Sequence, residues 1–211
     1  MMVLPRPSVR NQQRLTRVMQ LLLAGIVAYG LLAQEPKAVI NGAIALAITF
    51  VPAIFERDYQ ITLDPWLGLW ITTAVFLHTL GSAGLYGQIS WLDHLTHATS
   101  ASLVAGVGYT VVRAIDIHHE EIHIPRQFAF VYIIVVVLFF GVIWELFEFG
   151  LDLTAEATGI TMPLSQHGLD DTVRDLMFNT AGAILVGLFG QAHLSGVAER
   201  VRGQVLMTEE R

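Results

Sequence analysis

Phe128-Ala-Phe-Val-Tyr-Ile-Ile-Val-Val-Val-Leu-Phe-Phe-Gly141-Val-Ile-Trp144-Glu145-Leu-Phe-Glu148-Phe-Gly-Leu151 is apolar around every helical face except at two glutamates. A helix needs about 20 such residues to cross a ~30 Å hydrocarbon core, so this stretch reads as a membrane span. The two glutamates are the anomaly in it. An ionised side chain at the bilayer centre costs at least ~2.5–3.5 kcal/mol on insertion scales, which makes Glu145 and Glu148 markers of a site.

Working outward, five further apolar stretches have comparable character, at 18–32, 38–55, 65–85, 91–114 and 173–193. Breakers separate them: Glu35-Pro36, Asp64-Pro65, Gly81 to Gly87, Pro125, and Gly159 to Pro163. Composition agrees, because 14% of the 211 residues are charged, against about 25% in soluble domains. The expected fold is an all-α polytopic transmembrane helix bundle of about six spans, one integral membrane domain over 1–211. Within it, 1–17 is a basic N-terminal segment, 18–193 the membrane bundle and 194–211 a tail. The first stretch also has the look of a signal peptide, but its long basic lead and poor small-residue cleavage pattern favour a retained anchor.

Charge sets the orientation. With the N-terminus inside, Arg6, Arg10, Arg14, Arg17, Arg57, Arg113, Arg126, Arg200, Arg202 and Arg211 are cytoplasmic, and only Lys37 and Arg174 lie outside. That bias predicts a multi-pass cell-membrane protein with both termini in the cytoplasm. A net charge of −6 leaves no basic stripe for phosphates and excludes a nucleic-acid partner. The absence of cysteine excludes disulfides, thiolate metal sites and cysteine nucleophiles.

On this topology the polar residues gather at the outer leaflet. Asp93, His94 and His97 begin the fourth span, Glu145, Glu148 and Asp152 end the fifth, and Asp170, Asp171, Arg174, Asp175 and Asn179 open the sixth. Asp93 and His97 share a helical face, as do Glu145, Glu148 and Asp152. Asp171, Asp175, Asn179, Gly182 and Val186 form one stripe, with Gly182 and Gly187 allowing close helix approach beneath it.

Such a donor set suits a divalent cation, and its carboxylate excess favours harder ions. The candidate metal ligands are Asp93, His97, Glu145, Glu148 and Asp175; Glu145, Glu148 and Asp175 are the candidate catalytic groups, with His94, Arg174 and Asn179 in support. A bound cation would polarise a phosphoryl or carbonyl group and activate water, here on a lipid or lipid-linked head group. Membrane lipids are the expected partners. Two other readings stay open: a small cation- or proton-coupled transporter, and a non-catalytic subunit whose acids pair with Arg174 in a structural network.

Simpler roles account for other residues. Asp93, Asp170 and Asp171 suit helix N-termini, and His78 suits an interhelical hydrogen bond. Trp66, Trp70, Trp91 and Trp144 suit an interfacial belt. The tract His118-His119-Glu120-Glu121-Ile122-His123 reads as a solvated cytoplasmic loop.

Taken in order, Asp93-His94-x-x-His97, Glu145-x-x-Glu148 and Arg174-Asp175-x-x-x-Asn179-x-x-Gly182 resemble the motifs of VanZ-like membrane proteins. The resemblance is closer to YjdF-type inner-membrane proteins, where Trp-Glu-x-x-Glu and an acid-rich start to the last helix recur. It covers residues 91–190 and implies Asp93, His97, Glu145, Glu148, Asp175 and Asn179 as site residues. His94 replaces the lysine of a VanZ-like Asp-Lys-x-x-His pattern, and Glu148 stands where glutamine is common. Both departures shift the site toward metal ligands or titratable groups. The resemblance implies an architecture and a residue list, with no reaction attached.

Overall fold

The computed structural model describes residues 7–59, 63–118, 123–159, 162, 164 and 168–189. Their elements are all helical: α1 (Val9–Ala33), α2 (Pro36–Ile48), α3 (Val51–Tyr59), α4 (Pro65–Leu80), a π-helical turn (Gly81–Leu85), α5 (Leu92–His118), α6 (Arg126–Thr158) and α7 (Leu169–Phe189). Among the described residues, six segments are long and apolar enough to cross a membrane, α2 and α3 combining into one and α4 and the π-turn into another. This is a multi-pass membrane protein.

The ends of three spans differ from expectation, each for a local reason. α1 begins at Val9 rather than residue 18, because Ser8 accepts a hydrogen bond from the Asn11 N–H and caps a polar first turn. α7 begins at Leu169 rather than 173, after Gly168 at φ 96°. α6 runs past residue 151 to Thr158, through Ala- and Glu-containing sequence that favours helix. Gly159 ends it at φ 69°, its N–H donating to the Ala155 carbonyl at 2.8 Å.

The last extension corrects the placement of the glutamates. Glu145 and Glu148 do not lie in the final turns of their helix; roughly 20 Å of helix follows Glu145 at 1.5 Å per residue. The connection between α6 and α7 is correspondingly shorter than the gap between the expected spans, which end at 151 and resume at 173. The basic residues Arg6, Arg200, Arg202 and Arg211, residues 190–193 of the expected last span, the tail 194–211 and His119 to Ile122 lie outside the described residues.

α7 packs on α5 and α6, α1 packs on α2 and α4, and α4 joins the two groups through α5. Small residues make the α5–α7 seam: a Cβ on Gly182 would fall on the Ala98 carbonyl oxygen, inside contact distance. A Cβ on Gly187 would come within 2.5 Å of the Phe130 ring. Below the polar end, Ala101, Ala105, Tyr109, Ile133, Val137, Ala183 and Val186 form a hydrophobic core. Trp70 packs against that core. Large apolar side chains such as Leu32, Phe139 and Leu185 point outward. In water that surface would be a liability; in lipid it is the expected exterior.

A carboxylate and histidine site at one end of the bundle

Five helix ends meet here. The start of α2, the π-turn after α4, the starts of α5 and α7 and the upper part of α6 surround a cavity of about 570 Å³. Its lining includes Asp93, His94 and His97 from α5, Glu148 from α6, and Asp171 and Asp175 from α7. Lys37, Trp91 and Arg174 also border it.

The deep residues follow from the helical stripes. Asp175, Asn179, Gly182 and Val186 are all buried, as one face of α7 pressed between α5 and α6 requires. Asn179 reaches α6 because Gly141 has no side chain; a Cβ there would lie 2.9 Å from Asn179 Nδ2. Glu145 and Glu148 are also buried, and Glu145 sits below the cavity lining.

At the centre is His97. Its Nε2 lies 3.8 Å from Asp93 Oδ1, one helical turn earlier, and 3.7 Å from Asp175 Oδ1 across the interface. Donor atoms of His97, Glu145 and Asp175 all lie within 4.8 Å of one another, and so do those of Asp93, His94 and Asp175. Asp175 Oδ1 and His94 Nδ1 are buried without a hydrogen-bond partner. His94 stacks on Phe178 with the rings 7° from parallel, which fixes its plane.

Of the expected ligands, Asp93, His97, Glu145 and Asp175 come together in these groups, and His94, expected in support, lies among them. Glu148 lines the cavity but belongs to neither group. Arg174 turns outward to Asp170, with Nη2 3.0 Å from Oδ2, in place of the pairing with Glu148 or Asp152 that a structural network required. Asp152 is half-buried and outside the cavity lining. Trp144 meets His78 edge-on, with ring centroids 5.5 Å apart.

Tyr86 and His78 are additions to the site. Gly84, at φ 121°, lets the chain turn after α4, and the Tyr86 ring folds into the space a Gly81 side chain would fill. Tyr86 Oη then lies 3.3 Å from His78 Nδ1. Burial pushes the Tyr86 phenol up; a hydrogen bond with Thr96 opposes this, and the charges of Asp93, Glu148 and Asp175 reinforce it. The Thr96 hydroxyl donates to the Leu92 carbonyl. His78 Nε2 is buried without a hydrogen-bond partner. Only the spacing of Gly81, Gly84 and Tyr86 hinted at this in the sequence.

At the opposite end, His123 is exposed, with Nδ1 3.8 Å from Asp116, which pairs with Arg113 and accepts the Ile124 N–H. The described part of the histidine tract therefore packs locally.

A family model described as a predicted membrane protein, DUF2238, matches residues 14–196. An uncharacterized protein of Thermotoga maritima is 25% identical over 174 residues, covering 82% of this chain and 86% of that one. No solved structure matches the chain.

Proposed function

The chain belongs to the DUF2238 family of predicted membrane proteins, and on that premise we propose that it is a metal-assisted enzyme acting on lipid or lipid-linked head groups. The observation that carries this reading is a buried donor set opening into a head-group-sized cavity, with Asp175 Oδ1 and His94 Nδ1 lacking hydrogen-bond partners. Residues 1–211 act as one membrane domain of the cell membrane. The arginine bias puts both termini in the cytoplasm and the cavity at the outer leaflet. The motif order supports kinship with YjdF-type and VanZ-like proteins.

Asp93, His94, His97, Glu145 and Asp175 would supply the metal ligands, Glu148 would serve as general base, and Asn179 would support Asp175 from the next turn of α7. A bound divalent cation supplies a Lewis acid for a phosphoryl oxygen and lowers the pKa of bound water. Lys37 at the cavity border favours an anionic head group. The hydrophobic core under the site weighs against a transport path, and the pairing of Arg174 with Asp170 weighs against a purely structural network.

The test is head-group release from vesicles containing phospholipids and polyprenyl phosphates, by protein reconstituted with Mn²⁺, Mg²⁺ or Zn²⁺. Turnover that EDTA abolishes and added metal restores is expected. Equal lipid composition with and without protein, in every metal, overturns the reading.

Orientation has its own check, since the chain has no native cysteine. An impermeant maleimide should label Gln88→Cys on intact cells and Gln127→Cys only after permeabilisation. The reverse pattern would place the cavity at the cytoplasmic leaflet.

A further inference from the structure

We propose that the site holds two divalent cations bridged by the Asp175 carboxylate, an inference that rests on the metal-assisted reading above. The donor atoms separate into two groups rather than one. Asp93, His94 and Asp175 form the first and His97, Glu145 and Asp175 the second, each within 4.8 Å internally. His94 and Glu145 never fall in the same group, so a single ion does not gather all five residues. Asp175 belongs to both, and a carboxylate has an oxygen for each ion.

The spacing between the groups fits. Donors ~2.0–2.2 Å from one ion lie roughly 3–4 Å from each other. His97 Nε2 stands 3.8 Å from Asp93 Oδ1 and 3.7 Å from Asp175 Oδ1, beyond hydrogen-bond reach in both cases. An imidazole nitrogen held between two acids without a hydrogen bond has the geometry of ligands around ions. Two-ion sites have their metals ~3.5–4 Å apart, which adjoining groups sharing a carboxylate accommodate.

An independent observation points to a ligand. Asp175 is 2% exposed, lines the cavity, and its Oδ1 has no hydrogen-bond partner. His94 Nδ1, in the same group, is also buried without one. Such polar atoms are costly to leave unsatisfied. Charge then separates one ion from two. Asp93, Glu145, Glu148, Asp171 and Asp175 place five carboxylates around the site, and one divalent ion would balance less than half of their full charge. Two would balance most of it. The mixed carboxylate and imidazole set suits Mn²⁺ or Zn²⁺ better than Ca²⁺.

Full-length protein, purified in detergent, stripped with EDTA and dialysed against MnCl₂, tests this by elemental analysis and electron paramagnetic resonance. Two Mn²⁺ per chain with an exchange-coupled spectrum are expected, falling to one uncoupled Mn²⁺ in His94→Ala and in Glu145→Gln. One uncoupled ion per wild-type chain overturns the two-ion centre and leaves a single-metal enzyme standing. No bound Mn²⁺, Zn²⁺ or Mg²⁺ overturns both. Two ions without coupling, or coupling retained in Asp175→Asn, overturns the bridge. The wild-type measurement decides the stoichiometry even if a variant fails to fold.

Discussion

Asp175→Asn is expected to lower metal-dependent head-group turnover by on the order of 10³-fold, beyond the 10–100-fold typical of losing an outer-shell partner of a metal ligand. The substitution keeps the side-chain shape and removes the carboxylate that both donor groups share. Its effect on stability should have the opposite sign. In metal-free protein, Asp175 Oδ1 is buried without a hydrogen-bond partner, so replacing the carboxylate with a neutral amide relieves a desolvation cost. The metal-free variant should melt in detergent at or above the wild-type temperature while its turnover collapses. Activity and melting temperature falling together would instead make Asp175 a structural residue.

Gly182→Ala is expected to destabilise the protein by about 3 kcal/mol, near the upper end of ordinary overpacking costs. The obstacle to the new methyl is the Ala98 carbonyl oxygen, and the neighbouring backbone of Ser102 is 3.2 Å away. Backbone inside a helix cannot rotate aside as a flexible side chain can, so α7 must back away from α5. Gly25→Ala is the control: a Cβ there meets nothing within 4 Å, and alanine's better helix propensity makes it neutral or slightly stabilising. Thermal melts of both in detergent provide the comparison, and equal melting temperatures would refute the seam. Asp175 is two turns before Gly182 on the same buried face, so the Gly182 variant should also lose metal affinity as Asp175 moves away from His97.

The spans were readable from sequence because apolarity over about 20 residues is a local property, independent of what packs where. The α7 stripe was readable for a similar reason: Asp175, Asn179, Gly182 and Val186 recur at helical spacing, and all are buried. Helix ends were less legible. Hydropathy stops where polar residues begin, whereas the helix stops where its caps are, at Ser8, Gly159 and Gly168.

Sequence alone therefore determined a multi-pass helical bundle, its polar end and the acids and histidines crowded there, since each follows from residue type and period along one chain. Tertiary structure decided the partners. It sent Arg174 outward to Asp170, brought His94 in beside Asp93 and Asp175, left Glu145 out of the cavity lining, and folded Tyr86 back onto His78 across the Gly81 gap. These choices depend on the rotation and closeness of α4, α5, α6 and α7. They are set by where a glycine admits a neighbouring backbone or ring, and no periodicity within a single helix encodes that.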